Sequence, residues 1–316
     1  MRHFVCRMTK LMQVLSKKEG YMRNHIHIGN RKFDIKNHTY VMGIMNITPD
    51  SFSDGGKYNE LDAALKHAEK LVKEGVDILD IGGESTRPNH TQISDDEEIH
   101  RIAPVFEKLK KEFDIPLSID TYKSAVAKVA LDLGADMVND IWGLKYEDRS
   151  DKDDDKSAEK SDDKNTSTIY SGEMAELVSK HKVPICLMHN RQNTDYGNFI
   201  KDTLDDLEVS IKKAKKAGIS EDKIIIDPGV GFAKSYENNL EVIRHLEVYK
   251  SLGYPVLLGT SRKSVIGLTL DLPFDERIEG TLVTTVMAVM AGCTFVRVHD
   301  VKENVRAIKM AEAIMG

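Results

Sequence analysis

Asp120, Asn139 and Asp227 each close a short apolar run, and Lys263 follows another. Carboxylates accept paired N–H donors, and a primary amide both donates and accepts. Brought together, two acids, an amide and a lysine suit a flat, nitrogen-rich heterocycle with adjacent ring N–H and exocyclic amine. Any single Asp after a strand is more simply read as a cap for the next helix; three such groups ending three separate runs argue for one shared site. A second set suits an anion. Arg297 and His299 alternate along one run, so they face the same side of a strand. Thr86 and Arg87 lie in another segment that follows a strand. Arginine matches a pair of phosphate oxygens. His299 alone would pass as a packed histidine, and its alternation with Arg297 favours a functional role.

Other chemistries find no support. Asp227-Pro228-Gly229-Val230-Gly231 continues into neither a GK[ST] phosphate loop nor a dinucleotide fingerprint, so its glycines are read as letting the backbone approach a planar ligand. HExxH, GxSxG and CxxC are absent. Ser261 and Ser264 have no evident base partner, which argues against covalent serine catalysis.

The elements that must position these groups repeat one unit: a β-branched apolar run, a polar or glycine-containing loop, an amphipathic helix. The runs are Tyr40–Met45, Ile78–Ile81, Leu117–Ile119, Met137–Asn139, Ile185–Met188, Ile224–Ile226, Val256–Leu258 and Phe295–Val298. Helical segments follow them, among them Asn239–Leu252, and Gly75, Gly134, Gly218, Gly253 and Gly292 stand where left-handed C-caps fall. Continuous apolar strands alternating with helices predict a parallel sheet covered on both faces. Eight units in about 275 residues predict an α/β fold of the (β/α)8 TIM-barrel type, whose functional groups sit at the C-terminal ends of the strands. Ile26–Phe33 reads as a hairpin plugging the opposite end.

The formal net charge of −6 divides unevenly: +7 over residues 1–40, −4 over residues 147–164 and −9 over the rest. Residues 1–24 read as a flexible N-terminal extension, with Phe4, Val5, Met8, Leu11, Met12 and Leu15 at helical spacing. A basic amphipathic targeting helix is the functional rival there. Residues 25–316 read as a single barrel domain containing a disordered charged insert at 147–168, after the fourth barrel strand, too polar to bury surface. No window is apolar enough to span a membrane. Cys6, Cys186 and Cys293 are odd in number and far apart, which points to a reducing, cytoplasmic setting. The acidic balance argues against a nucleic-acid partner.

At the strand ends the sequence resembles the dihydropteroate synthases of the pterin-binding TIM-barrel family, from about Val41 to Gly316. The resemblance rests on MGIMNITPDSFSDGG at 42–56, DIGGESTRP at 80–88, SIDTYKSAVA at 118–127, VNDIWG at 138–143, LMHNR at 187–191, IIDPGVGFAKS at 225–235, GTSRKSVIG at 259–267 and RVHDV at 297–301. It implies a transferase that joins para-aminobenzoate to 6-hydroxymethyl-7,8-dihydropterin diphosphate, releasing pyrophosphate and 7,8-dihydropteroate by an SN1-like course in folate biosynthesis. By position, Asp120, Asn139, Met188, Asp227, Phe232 and Lys263 are expected around the pterin. Asn46, Thr86, Arg87, Arg297 and His299 are expected on the diphosphate, with Asn46 also serving a Mg²⁺ cofactor. Thr86, Arg87, Ser261 and Lys263 are expected where aminobenzoate binds and sulfonamides compete. Asp120, Asp227, Lys263, Arg297 and His299 form the expected catalytic set. The loops Thr48–Gly56 and Ser85–Asn89 are expected to close over the substrates. The family also implies a homodimer and, with so short an N-terminal extension, a monofunctional enzyme. Asn89 and Trp142 depart from the usual pattern; Trp142 is expected beneath the pterin or beside the insert. Two other readings use the same barrel: a methyltetrahydrofolate-type methyltransferase, which would not need the Arg297/His299 pair, and a catalytically inactive binding subunit.

Overall fold

The structure, a computed structural model, describes residues 24–47, 57–85, 92–146 and 172–316. The amphipathic segment at residues 1–18, most of both expected substrate loops, Thr86, Arg87, Asn89 and the charged insert lie outside the described residues.

A hairpin comes first, β1 (His25–Ile28) paired antiparallel with β2 (Arg31–Asp34). Eight parallel strands follow: β3 (Tyr40–Asn46), β4 (Ile78–Gly82), β5 (Leu117–Asp120), β6 (Met137–Asp140), β7 (Ile185–Met188), β8 (Ile224–Asp227), β9 (Leu257–Leu258) and β10 (Phe295–Val298). Their spatial order is β8-β7-β6-β5-β4-β3-β10-β9. The ring closes where Ile226 bridges Val256, with the Ile226 N–H donating to the Pro255 carbonyl at 3.0 Å. Pro255 has no N–H to extend that ladder, which keeps β9 short.

Ten described helices alternate with the strands: α1 (Lys57–Glu74), α2 (Asp95–Glu112), α3 (Ser124–Asp132), α4 (Glu173–His181), α5 (Phe199–Lys216), α6 (Tyr236–Arg244), α7 (Leu246–Tyr249), α8 (Ser264–Leu270), α9 (Ile278–Ala291) and α10 (Val301–Met315). The local sequence explains their ends. Ser94, Asn198 and Ser235 accept backbone N–H groups at the starts of α2, α5 and α6. The five glycines expected as C-caps all adopt positive φ, from 72° at Gly292 to 99° at Gly134. Two expectations change. The single helix expected over 239–252 starts earlier and breaks at His245, whose φ is −121°. The unexpected α8 fits directly after the short turn that follows β9.

The barrel interior is layered because alternate strand residues point inward. The lowest layer holds Met42, Ile78, Met137, Cys186, Ile225, Leu257 and Phe295, and hairpin residues Ile26, Ile28 and Phe33 pack beneath it. The hairpin therefore plugs the N-terminal end, as its sequence predicts. Two residues further along the same strands come Ile44, Asp80, Asn139, Met188, Asp227, Gly259 and Arg297. One step of the strand period thus carries the interior from apolar, with buried Ser118 on β5 as the exception, to polar, and this upper layer floors the C-terminal mouth.

Candidate active site

Arg297 organises the floor. Its Nε donates to Asp80 Oδ2 at 2.6 Å, and a terminal nitrogen donates to Asp120 Oδ2 at 2.5 Å. Asn139 Nδ2 donates to the same Asp80 oxygen at 3.1 Å. The carboxylate set and the anion set, separate in the sequence, meet at this guanidinium. Burial works against the Arg297 charge, and Asp120 and Asp80 override it, so its pKa is raised. Breaking a buried pair of this kind costs about 3–5 kcal/mol, because a charge is stranded.

Two acceptors in the floor are unfilled. Asp80 Oδ1 and Asp120 Oδ1 are buried and accept no hydrogen bond from the described residues. Such atoms are costly unless a ligand donates to them. Burial pushes the Asp120 pKa up to about 7, offset by Arg297 and reinforced by Asp80.

Opposite lie Asp227 and Lys263. Asp227 is buried, and Oδ1 accepts the Gly229 N–H at 2.7 Å. Burial raises its pKa against the pull of Lys263. Burial lowers Lys263 to about 8, with Asp227 pulling the other way. Lys263 Nζ donates to the Val230 carbonyl at 2.5 Å and stands 4.6 Å from the centre of the Phe232 ring. The turn beneath them needs glycine: Gly229 has φ +70°, and a Cβ there would lie 2.0 Å from the His189 carbonyl oxygen. Tyr122, Ile141 and Met188 form an apolar wall, joined by Trp142, Tyr146 and Phe232. Trp142 therefore packs against this cluster, with its ring 6.3 Å from that of Tyr146.

Across the mouth, Ser261 Oγ lies 3.0 Å from His299 Nδ1 and accepts the His299 backbone N–H at 3.1 Å. This corrects the reading that Ser261 has no base partner. The two residues are 38 apart in sequence and meet only because β9 and β10 are adjacent. The contact ties two loops together rather than freeing a nucleophile. Between Ser261 and Lys263, Arg262 adopts φ +56° and is held by Asp300, with Nε–Oδ2 at 3.0 Å and Nη2–Oδ1 at 2.6 Å.

Sequence reasoning gave no specific role to three functional-site neighbours. Asp80 lies inside β4 rather than after it; an acid within the apolar run ILDIG was the available signal. Glu84 and Lys123 are buried and pair at 2.7 Å, while Tyr122 donates to Glu84 at 2.6 Å. The Ile93 backbone donates to Glu84 and accepts from Lys123, anchoring the segment entering α2. Asn46 ends β3 half-buried, and no group of three His, Cys, Asp or Glu able to hold a metal occurs among the described residues. A hard cation here would draw most of its oxygen ligands from substrate and water, as magnesium at phosphate sites commonly does.

Residues 42–299 match the family model for pterin binding enzymes. The dihydropteroate synthase of Clostridium beijerinckii is 52% identical over 289 residues, covering 91% of this chain and 98% of that protein. A solved Clostridium difficile dihydropteroate synthase, obtained in the presence of pteroic acid, superposes with a TM-score of 0.79 at 49% identity, covering 89% of this chain and 98% of that one. The Xanthomonas albilineans dihydropteroate synthase with 4-aminobenzoic acid gives a TM-score of 0.81 at 35% identity, covering 93% and 98%. With a mouth of paired acids, an amide, a lysine and a half-buried arginine, and with these likenesses over nearly its whole length, the chain belongs to the pterin-binding enzymes and, within them, to the dihydropteroate synthases.

Proposed function

We propose that the chain condenses 6-hydroxymethyl-7,8-dihydropterin diphosphate with para-aminobenzoate, giving 7,8-dihydropteroate and pyrophosphate. The observation that carries the assignment of roles is the pair of unfilled buried acceptors, Asp80 Oδ1 and Asp120 Oδ1, beside Arg297. A pterin offers adjacent ring N–H and amine donors to such oxygens, while its ring faces the Met188 and Phe232 side chains. Asp227 and Asn139 complete the polar edge, and Lys263 closes the other side.

The reaction asks little acid–base work of the chain. The bond from the methylene carbon to the diphosphate oxygen breaks, and its electron pair leaves with pyrophosphate. The nearby carboxylates of Asp227 and Asp120 favour the positive charge left on the pterin methylene. The arylamine lone pair then forms the new C–N bond, and the nitrogen gives up a proton it no longer holds strongly. Arg297 and His299 receive the charge growing on the leaving group, together with Thr86 and Arg87. Asn46 would hold Mg²⁺ against the diphosphate, supplying charge neutralisation there. Ser261 and Lys263, with Thr86 and Arg87, line the aminobenzoate side, where sulfonamides would compete.

The same reading extends to the assembly. Val283 and Met290 on α9, with Met310 and Ile314 on α10, are exposed apolar side chains on two helices packed together. A surface of this kind marks an association site, and we assign it to a homodimer. Cys186 and Cys293 are buried free thiols, which suits a cytoplasmic setting. No described helix is long and apolar enough to cross a membrane. The net acidic balance of the chain fits small-molecule substrates better than nucleic acid. Pyrophosphate release that requires both substrates tests the reaction. Its absence in a folded sample would leave an inactive barrel, and methyl transfer instead would favour the methyltransferase reading.

A further inference from the structure

A second polar cluster lies behind the pterin-side turn and touches none of the expected site residues except through backbone. Its hub is Lys234, the residue after Ala233 in the loop that leaves β8. Lys234 Nζ lies 2.8 Å from His189 Nδ1, 2.8 Å from the Gly229 carbonyl and 3.0 Å from the Phe232 carbonyl. Burial pulls the Lys234 pKa well below the ordinary lysine value and Asp227 pulls the other way; as an ammonium it carries three N–H donors, one for each of these acceptors. His189 is fully buried, and its Nε2 lies 3.0 Å from Asp206 Oδ2 on α5. That carboxylate accepts a hydrogen bond from Nε2–H, which leaves the Nδ1 lone pair facing Lys234. Arg191 Nε holds the same Asp206 oxygen at 2.5 Å and stacks 4.4 Å above the Tyr196 ring, whose hydroxyl donates to the Ala233 carbonyl at 2.8 Å.

The turn so held is one that would not keep its shape alone. Gly229, Gly231 and Ala233 have φ of +70°, +87° and +45°, and only the first two are glycine. A non-glycine residue in the left-handed region persists where its surroundings over-determine it. Side chains grip the carbonyls of Gly229, Val230, Phe232 and Ala233. One of those grips, Lys263 on Val230, comes from the site itself.

We propose that Lys234 is a positioning residue for pterin binding, clasping the Asp227–Ala233 turn to the loop after β7, with Asp206 fixing the His189 tautomer that makes the clasp possible. The clasp sets where Phe232 and the Val230 carbonyl stand, and through them Lys263. The inference rests on the assignment of this mouth to the pterin, and it makes the two substrates respond differently.

The test is steady-state kinetics on the full chain with each substrate varied in turn, using Lys234→Met, Asp206→Leu, His189→Leu and His189→Asn. In His189→Asn the side-chain oxygen reaches the former Nδ1 position and can still accept from Lys234. Lys234→Met, Asp206→Leu and His189→Leu are expected to raise KM for the pterin diphosphate about tenfold or more, the loss of one or two charge-assisted hydrogen bonds. KM for para-aminobenzoate is expected to stay within about twofold, and His189→Asn to recover most of the pterin affinity. If Lys234→Met does not fold, Asp206→Leu, at a partly exposed helix position, carries the same reading. Unchanged pterin KM in the folded variants, equal rises in both KM values, or no difference between His189→Asn and His189→Leu would overturn the clasp. An inactive wild-type chain would instead overturn the reaction itself.

Discussion

On the proposed assignment Asp120 and Lys263 face the same ligand, and their pKa values are moved towards each other, to about 7 and about 8, both chiefly by burial. On that assignment the pterin needs Asp120 as an acceptor, so binding is expected to be lost as protons return below about pH 7. It needs Lys263 as a cation beside Asp227, so binding is lost above about pH 8. kcat/KM for the pterin diphosphate reports the free enzyme and is therefore expected to follow a narrow bell between these limits. Asp120→Asn should remove the acidic limb while lowering the maximum; a limb that stays in place would show that another group titrates. Arg297 makes a different prediction. Because it bridges Asp80 and Asp120, Arg297→Ala should do more than weaken diphosphate binding. It should also destabilise the fold by about 3–5 kcal/mol, read as a lower denaturant midpoint, since two buried carboxylates lose their counter-charge. A variant of wild-type stability with only a raised KM would place Arg297 outside the floor.

The elements show why sequence alone reaches some of these residues and not others. Asn139, Asp227 and Arg297 were legible because strand period and barrel rule together place them at the mouth. Asp80 follows the same period but sits in mid-strand, so a search after strand ends passes it by; the layered interior makes it visible. Ser261 and His299 were individually legible, but their contact depends on β9 and β10 being neighbours, which no local pattern encodes. The break at His245 has no clear local signal, whereas the glycine C-caps do. The loop after β8 is the sharpest element-scale case. Its Asp-Pro-Gly opening is plain in the sequence, while the approach of Gly229 to His189 is a property of two loops packed together. Gly229→Ala would force a Cβ to 2.0 Å from a backbone oxygen at φ +70°. It is expected to cost at least about 2 kcal/mol and to abolish pterin binding, measured by thermal melting and titration. Tolerance of alanine there would contradict the geometry of the turn.

At the scale of the whole molecule, the uneven charge becomes informative. A region of net −9 outside the two charged segments must attract anionic substrates locally, because its overall field repels them; the proposed assignment gives that attraction to Lys263, Arg297, His299 and Arg87. The exposed apolar residues of α9 and α10 give the other whole-molecule prediction: Val283→Glu with Met310→Glu should convert a dimer to a monomer by sedimentation while leaving the barrel folded. A wild-type monomer would remove that assignment. The central claim is that the buried carboxylates of the barrel mouth recognise the N–H edge of a pterin. Calorimetric titration of the pterin diphosphate into the wild type, Asp120→Asn and Asp227→Asn tests it most directly. The account predicts measurable wild-type binding, weakened by about 10- to 150-fold in each variant, the worth of one hydrogen bond to a charged group; equal affinity in all three folded proteins would contradict it.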